Sequence, residues 1–187
     1  MTQTSLFDHV MIDIETLSLS KHNALVLSVG MIEFDPTNLQ EGLRLGKREL
    51  MVLDIPEQIM LKREISKSTQ EWWTHQPAEA AKHWRKPAAV CDVDTAMNSV
   101  RSFCLGKSRV WANGTQFDLS NLEQLAKDVS QKDELWHYRA PRDMRTFCME
   151  APKTRAMPDD ALTDVITHHP VDDCIVQAWS VWEHWAL

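Results

Sequence analysis

FDHVMID, residues 7–13, runs apolar into an acidic end, and ALVLSVGMIEF, residues 24–34, follows as a second β-rich run with Gly30 inside it. Branched and apolar side chains at this density favour a pleated, part-buried backbone. Residues 43–54 supply a third extended run. The three follow one another over short connections, as in an antiparallel meander, with Pro36-Thr37-Asn38 as turn material. From there the period becomes helical.

Ser68-Thr69-Gln70-Glu71 has the spacing of a capping box, which predicts a helix opening on Trp72, Trp73 and Gln76 that Pro77 restarts or bends. Residues 88–105 offer another helix, with Ala96, Val100 and Phe103 near helical spacing. Residues 109–112 form a short apolar strand closed by Asn113-Gly114, and Asp118 then leads an amphipathic stripe of Leu119, Leu122, Leu125, Ala126 and Val129. Residues 143–147 read as a last strand. Residues 171–185 read as a last helix, with Ile175, Ala178, Trp179, Trp182 and Trp185 on its apolar side. The expectation is one α/β domain over residues 1–187, a mixed sheet with three leading antiparallel strands and flanking helices.

Composition agrees. A chain of 187 residues, 43% hydrophobic, buries about two-thirds of its extended surface on folding. No apolar stretch approaches a membrane span, and the N-terminus lacks the basic-then-apolar order of a signal peptide, so a soluble, cytoplasmic protein is expected. Cys91, Cys104, Cys148 and Cys174 are far apart, with no CxxC pair to suggest a zinc knuckle or a disulfide framework. The net charge of −7 argues against a general duplex-DNA binder. An acidic site that holds divalent ions is compatible with that charge, because the ions offset its carboxylates.

In Met11-Ile12-Asp13-Ile14-Glu15-Thr16 two acids sit two apart at a strand end, and side chains two apart on a strand share a face. Two carboxylates therefore converge. Hard divalent ions such as Mg²⁺ and Mn²⁺ prefer such all-oxygen ligation. A third acid, Asp118, lies at a strand-to-helix passage, where an isolated Asp is more often a helix cap. A fourth element is His168-His169-Pro170-Val171-Asp172-Asp173 at the start of the last helix. Helical periodicity alone leaves open which histidine and which aspartate face inward.

Together these motifs resemble the DEDDh exonucleases of the DnaQ-like superfamily, which have an RNase H-like fold. The D-x-E-T motif matches Asp13-Ile14-Glu15-Thr16, the second acid matches Asp118, and H-x-x-x-x-D matches His168 and Asp173. The LSVGMIEFD run, Glu71-Trp72-Trp73 and Asp172-Asp173-Cys174 look most like a small bacterial and phage subgroup with both deoxyribonuclease and ribonuclease branches. The resemblance implies a 3′–5′ exonuclease acting on single-stranded DNA or RNA in a bacterial or phage-infected cell, releasing 5′-mononucleotides. It implies two divalent ions, Mg²⁺ or Mn²⁺, held by Asp13, Glu15, Asp118 and Asp173, with His168 as general base. Pro170 departs from the family's usual small or apolar residue there, although its fixed φ suits a first helical turn. All five positions carry the right residue types, which disfavours a catalytically weak accessory subunit.

Outside the acids, Thr16, Asn113 and Phe117 are candidate substrate contacts, Phe117 as a wedge against the terminal base and the Asn113 amide toward sugar or base. Trp72 and Trp73 offer base stacking, but neighbours on a helix cannot both face one way, so at least one belongs to the core or an interface. Residues 82–86, Arg142 and Arg145 are candidate phosphate contacts, or solvated surface. Eight tryptophans and nine methionines are compatible with a homodimer.

Overall fold

β1 (His9–Thr16), β2 (Val26–Asp35) and β3 (Arg44–Val52) form the antiparallel meander expected from residues 7–54. The computed structural model describes residues 7–38, 42–129 and 134–185. β4 (Arg109–Ala112) and β5 (Pro141–Asp143) join the free edge of β1 in parallel, giving a mixed sheet of order β3-β2-β1-β4-β5. Among the described residues seven helices flank it: α1 (Ile55–Met60), α2 (Lys67–Thr74), α3 (Ala78–Arg85), α4 (Val93–Cys104), α5 (Asp118–Val129), α6 (Met144–Glu150) and α7 (Pro170–His184).

The two-residue period of β1 separates the layers. Val10, Ile12 and Ile14 point into a core shared with Val93, Met97 and Val100 of α4 and Leu122 and Leu125 of α5. Met11 points the other way, with Ile32, Phe34 and Trp111, against Cys174, Ile175, Ala178 and Val181 of α7. Two positions further on, Asp13 and Glu15 continue that second face. A register shift beside Glu15 leaves Leu27 as an extra residue between Ser28 and Val26. Leu27 packs with Leu17, Leu25 and Trp73 in a third cluster that seats α2 and α3. Bulges of this kind recur where a strand end must aim a side chain.

Three sequence expectations need correction and one helix was not anticipated, each for a local reason. α2 begins before the proposed capping box, so Ser68 lies inside its first turn with its Oγ 2.7 Å from that of Ser66. α4 starts only at Val93, where the Asp92 carboxylate accepts from Thr95 N at 2.8 Å. Residues 143–147 are not a strand: β5 ends at Asp143, whose Oδ1 accepts from Thr146 N at 2.8 Å and starts α6. The unanticipated α1 is capped by Asp54, which accepts from Glu57 N at 2.6 Å, with Pro56 in the first turn. Of the eight tryptophans Trp72 is exposed, Trp84, Trp179 and Trp185 are half-buried, and Trp73, Trp111, Trp136 and Trp182 are buried. Among the described residues no helix is long and apolar enough to cross a membrane.

Candidate active site

Gly30 brings the two halves of the site together. It pairs with Asp13 across the β1–β2 ladder and faces the start of α7. A Cβ there would lie 2.4 Å from Pro170 C and 2.5 Å from Val171 N, so only glycine admits the helix at this distance. Cys174 Sγ then reaches Gly30 O at 3.4 Å and Met11 O at 3.6 Å. α7 is thereby laid over β1 with its acidic first turn beside Asp13.

The acids converge from segments far apart in the chain. Asp118, the first residue of α5, accepts from Ile14 N through Oδ1 at 3.3 Å. Asp173 Oδ2 accepts from His168 N at 3.0 Å. Ligand-competent atoms of Glu15, His168 and Asp173 lie within 4.8 Å of one another, with His168 Nδ1 4.0 Å from Glu15 Oε1. Gln177, one turn beyond Asp173 on the same face of α7, donates from Nε2 to Asp13 Oδ1 at 2.7 Å, and its Oε1 is buried without a partner. Asp13, Glu15, Asn113, Phe117, Asp118, His168, Asp173 and Gln177 line a cleft of about 540 Å³.

Burial makes the acids costly to ionise. It pushes Glu15 up to about 10, with Asp13, Asp173 and Asp118 adding repulsion. It pushes Asp118 up to about 7, against the opposing hydrogen bond from Ile14. Asp13 lies well above the usual carboxylate range, through burial and then through Asp118 and Asp173. Asp173 is also raised by burial. Such a cluster is deficient in positive charge, and its hard oxygen donors suit divalent cations. The orphaned Gln177 Oε1 is a further oxygen donor in the same cleft.

Of the candidate substrate contacts, Asn113 and Phe117 line the cleft, whereas Thr16 does not. The buried Thr16 hydroxyl donates to Ser18 O at 2.7 Å. His169 and Asp172 turn away from the cleft. His169 Nδ1 lies 3.5 Å from Asp172 Oδ2, and its ring packs on His83, which is 2.9 Å from Ser28 Oγ. Lys82 and Lys86 border that separate depression with Leu50 and Val52. Arg142 is drawn to the carbonyls of Arg139 and Pro141, while Arg145 lines a groove that adjoins the cleft at Asn113 and Phe117. Trp73 is buried and Trp72 is exposed beside His168. Sequence reading missed Gln177 and the role of Gly30. Their signals were the four-residue step from Asp173 and a lone glycine within a strand.

Residues 8–185 match the 3′–5′ exoribonuclease Rv2179c-like domain family. The exodeoxyribonuclease of Enterobacteria phage T4 is 27% identical over 199 residues, covering 90% of this chain and 85% of the phage protein. Exonuclease I of E. coli, in complex with a dT13 oligonucleotide, has a TM-score of 0.58 at 12% identity, covering 94% of this chain. This chain spans 41% of that exonuclease. The cell-death related nuclease CRN-4 has a TM-score of 0.56 at 15% identity, covering 94% of this chain and 63% of its own. The two structures share the fold.

Proposed function

The chain belongs to the 3′–5′ exoribonuclease Rv2179c-like domain family, and on that premise we propose that it shortens single-stranded DNA or RNA from the 3′ end at the Asp13–Asp173 cleft, releasing 5′-mononucleotides. The observation that carries the reading is the convergence of four buried or half-buried carboxylates, all with raised pKa, beside one histidine. Without a cation such acids stay buried only by taking up protons, whereas a bound divalent ion lets them ionise together.

Asp13, Glu15, Asp118 and Asp173 would hold two divalent ions, Mg²⁺ or Mn²⁺. When bound, such ions supply Lewis acidity to the attacking and leaving oxygens of an in-line displacement at phosphorus. The residues do the rest. His168 accepts the proton of the attacking water, and Glu15 beside its Nδ1 stabilises the imidazolium that results. Gln177 orients the Asp13 carboxylate through its amide. Phe117 packs against the terminal base and Asn113 hydrogen-bonds the nucleotide, which fixes the strand end over the acids. Single-stranded substrate accords with the E. coli exonuclease I complex. Both sugars stay within the proposal, since the family is described by an exoribonuclease and the phage relative is an exodeoxyribonuclease.

The test is digestion of matched 3′- and 5′-labelled DNA and RNA oligonucleotides with Mg²⁺, Mn²⁺ or EDTA. Stepwise loss from a 3′-hydroxyl end, abolished by chelation, is expected. Cuts in a circular single strand, or unchanged activity in EDTA, would overturn the reading.

A further inference from the structure

We propose that Trp72 is a positioning residue that holds the His168 imidazole against Glu15, an inference that rests on His168 being the base. The backbone of His168 has φ 64, in the left-handed region that side chains seldom occupy, and its N–H is tied to Asp173. These two restraints fix where the Cβ points. They do not fix the ring, which is still about a third exposed and could swing out of the cleft about its side-chain torsions.

Aromatic edges supply the missing restraint. Trp72 meets the His168 ring at 4.8 Å and 79°, and Trp73 meets it at 6.4 Å and 76°. The platform is itself anchored, because buried Trp73 donates from Nε1 to Thr16 O at 3.0 Å and Ser66 N donates to Leu17 O at 2.7 Å. α2 is therefore pinned to the chain immediately after Glu15, so the wall behind the histidine and the carboxylate in front of it move as one body. Trp72 packs on Trp73 at 5.0 Å and is otherwise 41% exposed. A tryptophan left this exposed, with its edge contact on a cleft residue, is explained by a task beside that residue. Edge contact with the ring of His168 assigns that task to its orientation rather than to stability.

Trp72→Ala, Trp72→Phe, His168→Ala and the Trp72→Ala/His168→Ala double variant are compared with the wild type on a 3′-labelled single-stranded oligonucleotide at saturating Mn²⁺, with melting curves to establish folding. Trp72→Ala is expected to lower kcat by about 10- to 100-fold, the cost of a misplaced reacting group, while KM stays near the wild-type value. Trp72→Phe, which keeps an aromatic edge, restores most of the rate. In the double variant the loss of Trp72 adds nothing to the loss of His168, because the two act as one unit. A rise in KM with kcat intact, or a Trp72→Ala effect that persists in full without His168, overturns the proposal and makes Trp72 a contact of the substrate. A His168→Ala variant with near-normal rate overturns the base reading, visible in that single variant, and the positioning role with it.

Discussion

His168 occupies a strained backbone region, φ 64, which costs a non-glycine residue about 1–3 kcal/mol and persists only where the surroundings over-determine it. The Asp173 hydrogen bond and the packing of α7 do so. Its neighbour His169 is the N-cap position of α7, followed by Pro170 in the first turn. That pair of backbone requirements sends adjacent histidines to opposite sides, one toward Glu15 and one toward His83. Loss of a general base lowers the rate by about 10²- to 10⁴-fold, so His168→Ala should fall in that range while His169→Ala stays close to wild type. Equal losses in steady-state assays of the two variants would mean that the histidine loop acts as a structural unit. Asp13→Asn should abolish activity and leave the metal-free fold as stable or more so, because a neutral amide relieves the repulsion from Asp118 and Asp173. An active, folded Asp13→Asn would remove the acid from the proposed site.

At the scale of elements, the site depends on how closely α7 approaches β2, and Gly30 sets that distance. In Gly30→Ala the new methyl meets backbone atoms rather than a flexible side chain, so either β2 or the start of α7 must retreat. Overpacking of this kind costs about 1–3 kcal/mol, and the retreat carries His168 and Asp173 away from Asp13. The expected result is a lowered melting temperature together with a loss of activity much larger than the lost stability accounts for. Unchanged kcat in a destabilised Gly30→Ala would separate the site from this contact. The same packing explains what the sequence could and could not convey. Strands 1 to 3, β4 and α5 were legible because each has its own period and stop signals. α1 and α6 were not, being short helices whose starts are set by Asp54 and Asp143 caps within segments that read as extended. Asp13, Glu15, Asp118, His168 and Asp173, singled out by the family resemblance, all line one cleft, although helical period alone left His168 and His169, and Asp172 and Asp173, unresolved. The four-residue step from Asp173 puts Gln177 on the right face of α7, but its contact with Asp13, like the Thr16 hydrogen bond to Ser18, depends on which residues the sheet and α7 place together.

Over the whole molecule, the acid cluster makes stability depend on pH and on cations together. Glu15 and Asp118 have folded-state pKa values of about 10 and about 7, above their ordinary values of 4.5 and 3.8. In those windows the folded state binds protons more tightly than the unfolded chain, so stability falls as pH rises through them and returns as pH drops. Two histidines, buried His9 and half-buried His83, act in the opposite direction. Burial lowers His9 and His83 to about 4 from 6.5, so what they contribute is present above 6.5 and is lost as pH falls toward 4. Between about pH 7 and about pH 9 these two histidines are neutral in both states and the carboxylates set the slope, joined toward the alkaline end by Cys104 and Cys174, whose thiols burial also raises and which therefore act in the same direction. The melting temperature of the metal-free protein should therefore decline across that interval. Mn²⁺ binds the ionised carboxylates of the folded state only, so it should raise the melting temperature by mass action and by more at the alkaline end, where no protons need be displaced. Thermal melts at several pH values, with EDTA and with Mn²⁺, measure both slopes. Asp13→Asn should weaken the Mn²⁺ increment, since one anionic donor is gone. A cation increment that is absent, or that shrinks as pH rises, would show that the buried carboxylates are not the ions' ligands.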